Sequence, residues 1–256
     1  NSSAIFYDEA ALASGRNIEG TVSHETAHQW FGDSVTPADW VHLWLSEGFA
    51  TYFGAVFFEY ADGQDSFRER MAATADRYLA SSDTLAPVVD TTVTNLFDLL
   101  NLNSYQKGGW ILHMLRGVLG DEAFFAAVGE YYDRYQNSVA DSRDFQRVVE
   151  EETGMELDWF FEQWLHRPGY PVLSVETAQD EASGGLRVTL GQLQGDYAPR
   201  FRLPLELELR WDDQTRRERV VLEGAREAFV FDDVPASAQV TVDPNGYVLK
   251  RLAGGS

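Results

Sequence analysis

The sequence predicts a multidomain chain, with a mainly α-helical domain over residues 1–171 followed by an all-β antiparallel sandwich over residues 172–256. Three observations carry this. Apolar residues fall at helical spacing up to Leu165, and Arg167-Pro-Gly-Tyr-Pro171 then breaks the pattern with two prolines. Beyond it the period switches to two, as in Leu186-Arg-Val-Thr-Leu190 and Leu203-Pro-Leu-Glu-Leu-Glu-Leu209. Finally, 256 residues with 44% hydrophobic and 13% aromatic content suffice for two cores.

The elements follow in order. Ala4-Ile-Phe-Tyr-Asp8 is short and rich in β-formers, which predicts a strand before a turn through Ser14, Gly15 and Arg16. Helical spacing from Glu19 to Phe31 predicts a helix that stops at Gly32-Asp33. Thr36-Pro-Ala-Asp39 reads as N-cap, proline at N1 and acid at N3 of a second helix with its interior over Trp40–Tyr60. An amphipathic stretch from Gly63 to Ala80 gives way to a loop from Ser81 to Thr94. Further helices are expected over residues 104–119, 121–136 and 142–166, the last broken at Gly154. About seven short strands fit the tail, separated by turns such as Asp243-Pro-Asn-Gly246.

Composition narrows the function. A net charge of -21 repels phosphate backbones and disfavours nucleic-acid binding. No apolar run is long enough for a membrane segment, so the chain reads as soluble. With no cysteine, any metal must be held by histidine and carboxylate. The chain starts at Asn1 without an initiator Met and ends Gly-Gly-Ser, which suggests processing or cloning boundaries.

The chemistry concentrates in His24-Glu25-Thr26-Ala27-His28. Histidines four apart on a helix lie about 40° apart around its axis, so both imidazoles leave one face and can share an ion. Glu25, rotated by about 100°, flanks that ion at the place of a bound water and suits a general base. A hydrolytic zinc site needs a third ligand and an open position. Glu47, in Trp44-Leu-Ser-Glu-Gly48, is the expected ligand, because the intervening residues let the chain reverse and pack a second helix on the first. Asp33 and Asp39 are nearer alternatives, but the first sits at the helix stop and the second reads as a cap. His42, His113 and His166 are read as non-ligands. Such a site, holding one zinc ion, activates water for attack on a carbonyl, and a further donor is expected across the cleft for the resulting oxyanion.

The stretches His24-Glu-Thr-Ala-His-Gln-Trp-Phe-Gly-Asp33 and Trp44-Leu-Ser-Glu-Gly-Phe-Ala-Thr-Tyr52, with Ser104-Tyr-Gln-Lys-Gly108 and Gln163-Trp-Leu165, resemble the gluzincin zinc aminopeptidases. The resemblance implies a thermolysin-like catalytic domain followed by a small β-sandwich. It implies zinc on His24, His28 and Glu47, Glu25 as base, and Tyr105 as the phenol that steadies the oxyanion. Thr51, one turn beyond Glu47, is expected to orient a ligand histidine. The implied activity is removal of N-terminal residues from peptides.

Family members grip the substrate's amino group with a Gly-x-Met-Glu-Asn strand, of which only Asn1 remains here, and carry an N-terminal β-domain ahead of it. The sequence therefore reads as a fragment that binds zinc but turns over weakly. The alternative is a non-catalytic peptide-binding or scaffold module with a structural metal, against which Glu25 and Tyr105 argue, since a structural site needs neither.

Overall fold

The structure, a computed structural model, describes residues 4–15, 17–195 and 198–254. The chain divides into two compact units, Asn1–Arg167 and Pro168–Ser256, so the division falls inside the double-proline segment, four residues before the expected boundary. In the first unit residues 4–8 form no strand, and the first regular element is the short helix α1 (Glu9–Ala13). A β-prone segment becomes a strand only beside another strand, and residues 4–8 belong to no sheet among the described residues. Arg16, in the expected turn, lies outside the described residues.

Helix α2 (Glu19–Ala27) ends earlier than its spacing predicts. Trp30 N–H donates to the Ala27 carbonyl and Asp33 N–H to the His28 carbonyl, and these turns replace its last helical bonds. The Thr36 cap is also overturned. Val35–Pro37 forms strand β1, and the cap is Asp39, whose carboxylate accepts from Val41 N–H at 3.4 Å. After a 3-10 turn at Trp40–His42 come α3 (Trp44–Asp62) and α4 (Gln64–Leu79). The expected loop beyond contains a 3-10 turn at Ser82–Leu85. Where one helix was predicted from residue 104, the chain makes a π-turn at Asn103–Lys107 and then α5 (Gly108–Leu119).

Then follow α6 (Asp121–Tyr135), β2 (Ser138–Ala140), α7 (Ser142–Thr153) and α8 (Asp158–Leu165). Strand β2 pairs in parallel with β1. Helix α7 opens on a reciprocal cap between Asp141 and Asp144 and stops at Gly154 in the left-handed conformation, φ 66°.

Helix α3 packs against α2, α4 and α5. Trp44, Phe49 and Tyr52 on it are wholly buried, and Phe49 meets Phe31 at 4.6 Å and Phe145 at 5.2 Å between ring centroids. Its far end is tied by charge. The Arg116 guanidinium of α5, 5% exposed, donates to both Glu59 oxygens at 2.7 and 2.8 Å and to Asp121 at 2.8 and 2.9 Å.

Among the described residues the second unit holds seven strands: β3 (Val172–Gln179), β4 (Gly185–Gln192), β5 (Leu203–Trp211), β6 (Gln214–Leu222), β7 (Arg226–Pro235), β8 (Gln239–Val242) and β9 (Arg251–Leu252). They form two sheets, in the orders β7-β4-β3-β9 and β6-β5-β8. Alternation buries one row on each, Leu186, Val188 and Leu190 on β4 and Leu203, Leu205, Leu207 and Leu209 on β5. The pairing is antiparallel except at the edge, where β9 runs parallel to β3, a departure from the all-antiparallel expectation. Two residues of β9 carry no alternation to read.

Candidate metal centre

The site sits where the end of α2 meets the start of α3. His24 Nε2 and His28 Nε2 lie 3.1 Å apart, and each is 3.2 Å from Glu47 Oε2. Three electron-rich atoms on a triangle of these edges suit one cation, since tetrahedral zinc bonds of about 2.0–2.1 Å space their donors about 3.3 Å apart. Among the described residues this is the only cluster of histidine, cysteine or acid that meets a metal-ligand spacing.

The local sequence explains the convergence. The i, i+4 pair projects from one face at the end of α2, and Glu47 falls in the first turn of α3, where the helix dipole favours a carboxylate. Burial alone would raise the Glu47 carboxyl, but hydrogen bonds from His24 and His28 outweigh it and hold the group at about 2. Burial would likewise lower His28, but its bond to Glu47 wins and raises it above the ordinary imidazole value. His28 Nδ1 lies 3.1 Å from the Phe31 carbonyl, so Nδ1–H donates there and Nε2 is the nitrogen turned to the triangle.

Metal binding must displace the proton that Glu47 stabilises on His28. Zinc affinity is therefore expected to fall as pH drops through the raised His28 value, at higher pH than an ordinary imidazole would set, while Glu47 stays charged down to about 2. Zinc titrations by calorimetry between pH 8 and 5 check this. Affinity independent of pH over that range would contradict it.

Two neighbours of His28 carried no signal in the sequence. Ser46 Oγ lies 3.2 Å from His28 Nδ1, beside the Phe31 carbonyl. Gly32, read only as a helix stop, has φ 122°, and a Cβ on it would meet Ser46 Oγ and come to 3.0 Å from His28 Nδ1. Gly32→Ala is expected to weaken zinc binding by about 10–100-fold with secondary structure retained, because it displaces the partners that aim His28. Competition against a chelator, with circular dichroism alongside, measures both.

Glu25 and Tyr105 line the same cavity of about 310 Å³ as the triangle, with Asp33 also on its wall. Glu25 is half-buried. The Tyr105 ring lies nearly parallel to that of His24, 11° between planes and 6.1 Å between centroids. Burial first, and then the charges of Glu47 and Glu25, push its phenol well above the usual value, so it remains an O–H donor. Asp33 accepts from Gln29 Nε2 at 3.0 Å.

Thr51 makes no side-chain hydrogen bond to either ligand imidazole among the described residues, and its methyl instead faces Gly109. His42 bonds Ser142 Oγ at 2.9 Å, and His113 is buried against Trp110 and Phe67. Asn1 lies outside the described residues.

The approach of α3 to α5 beside the site is set by two glycines. A Cβ on Gly48 would come within 2.8 Å of Gly108 backbone atoms, and one on Gly108 within 2.9 Å of Gly48 Cα. Helix α3 thus meets α5 backbone to backbone, one residue after the ligand and three after the phenol.

Known proteins resemble this chain in sequence and in fold. The sequence is 28% identical over 255 residues to probable aminopeptidase 1 of Sulfurisphaera tokodaii, covering 96% of this chain and 31% of that protein. It is 35% identical over 184 residues to aminopeptidase M1-C of Oryza sativa subsp. japonica, covering 68% of this chain and 20% of the relative. The fold matches the crystal structure of Legionella pneumophila aminopeptidase A in complex with aspartic acid, with a TM-score of 0.75 at 22% identity, over 93% of this chain and 27% of that one. The chain thus spans less than a third of the length of these relatives. The profile of the peptidase family M1 domain matches residues 1–164, and on that match the chain belongs to peptidase family M1, the family of the gluzincin aminopeptidases.

Proposed function

We propose that this chain is the zinc-binding core of an aminopeptidase that removes N-terminal residues from peptides. The helical unit is then the thermolysin-like catalytic domain, and the second unit the β-sandwich that follows it. The observation that carries the reading is a three-donor triangle sharing one cavity with a carboxylate outside it and a protonated phenol. A structural site needs neither of the last two.

His24, His28 and Glu47 would hold the ion. When bound, zinc supplies a Lewis acid for water and for the substrate carbonyl. Glu25 accepts the proton of the attacking water and passes it to the leaving amine. The Tyr105 O–H donates to the oxygen that becomes negative as the carbonyl turns tetrahedral. Thr51 is assigned a positioning role through its packing against Gly109, ahead of any direct bond to a ligand. The turnover is proposed for the whole protein, whose further parts would orient the substrate's amino group.

The test is metal content together with hydrolysis of a panel of aminoacyl reporters, with Glu25→Gln as control. Zinc near one per chain, and hydrolysis abolished by the substitution, supports the reading. Full zinc occupancy with no hydrolysis by the whole protein would sink it.

A further inference from the structure

The π-turn before α5 is polar and buried where an apolar sequence would suffice. Asn103, Ser104, Gln106 and Lys107 are 0–9% exposed, and only Tyr105 between them reaches the cavity. Burying polar groups costs stability unless each finds a partner, so such a turn persists when its geometry is needed. Its anchors run in three directions. Asn103 Nδ2 donates to the Asp83 carbonyl at 2.7 Å, and Ser104 Oγ to the Leu99 carbonyl at 2.7 Å. Lys107 Nζ, wholly buried, donates to the Arg167 carbonyl at 3.1 Å and lies 6.0 Å from the centre of the Tyr78 ring. No carboxylate pairs with it among the described residues. A π-turn also inserts an extra residue into the helical path and so re-aims the side chains it carries.

We propose that the turn Asn103–Lys107 is the positioning device for Tyr105, with Lys107 as its buried anchor: the ammonium pins the turn to the Arg167 carbonyl and so holds the phenol over His24. This rests on the peptidase reading for its purpose but not for its geometry. Burial alone pushes the Lys107 ammonium down to about 7, the cost of using a cation where a carbonyl and an aromatic face are its company. Lys107 touches no ligand of the site and is a positioning residue only.

Lys107→Met keeps the volume and removes the donor, and Asn103→Ala removes a second anchor independently. With 3-fluorotyrosine incorporated, the Tyr105 resonance is the one missing from Tyr105→Phe. In the metal-free protein that resonance is expected to shift in both anchor variants, with the thermal midpoint showing that they remain folded. On zinc-loaded protein, Tyr105→Phe and Lys107→Met are each expected to weaken binding of a phosphonate dipeptide, a tetrahedral analogue, by about 10-fold. The double variant should bind no more weakly than the weaker single one, because both changes act through the same phenol. A Tyr105 resonance unmoved in both folded variants overturns the proposal, as does strict additivity in the double variant. If the unsubstituted, zinc-loaded whole protein fails to bind the phosphonate, the peptidase reading fails, while the fluorine spectra still decide the role of Lys107.

Discussion

Glu25→Gln is expected to leave about one zinc bound per chain and to lower kcat by about 10²–10⁴-fold with KM little changed. Glu25 lines the cavity but lies outside the donor triangle, so its loss leaves the three donors in place. An amide keeps the side chain's size and polarity but cannot take up the proton of the attacking water. The fall should therefore sit in the chemical step. Metal analysis beside steady-state kinetics of the whole protein separates the possibilities. Unchanged turnover removes Glu25 from the mechanism, and zinc lost together with activity makes it a ligand instead.

The second large effect concerns stability. Arg116→Met is expected to destabilise the helical unit by about 3–5 kcal/mol, because it strands the carboxylate of Glu59, itself only 13% exposed, without the bidentate partner that offsets its burial. Asp121, 61% exposed, loses little because water replaces the bond. A fall of the thermal midpoint by about 10 °C would register the change. Glu59→Gln combined with Arg116→Met should recover much of it, since no charge is then left buried. A midpoint unmoved by Arg116→Met would mean that the Arg116–Glu59 pair is dispensable.

The parts of the site that obey local rules were legible in the sequence. Spacing of four places His24 and His28 on one helical face, and nothing beyond helix geometry is needed for that. Glu47 required a second helix to return to the first, and the short connection made the return plausible. What stayed hidden depends on contacts between distant segments. Ser46 and Gly32 meet at His28 only because two helices converge, and although both lie in the motif stretches, nothing in the spacing assigns either to His28. Tyr105 came from resemblance to a family, for residues 103–107 have the composition of an ordinary helix start and the π-turn is imposed by anchors at Asp83, Leu99 and Arg167.

The same distinction covers the fold. Long periodic helices and the change of period near Pro171 follow from composition along the chain. The failed strand at residues 4–8, the β1–β2 pair and the parallel edge strand β9 were decided by which partners are available. Thr36 shows how a sound cap signature loses to such a partner, since pairing with Val139 takes it into a strand and leaves Asp39 to open the next turn.

The contact between Gly48 and Gly108 makes the crossing of α3 and α5 a hard stop instead of a spring. Side chains at a crossing can repack by tenths of an ångström, but two backbones already touching have no slack to give. Any larger residue at either position would force the backbones of α3 and α5 apart at the crossing. Attempts to reshape this cavity should therefore treat that crossing as fixed tooling and vary the loops around it.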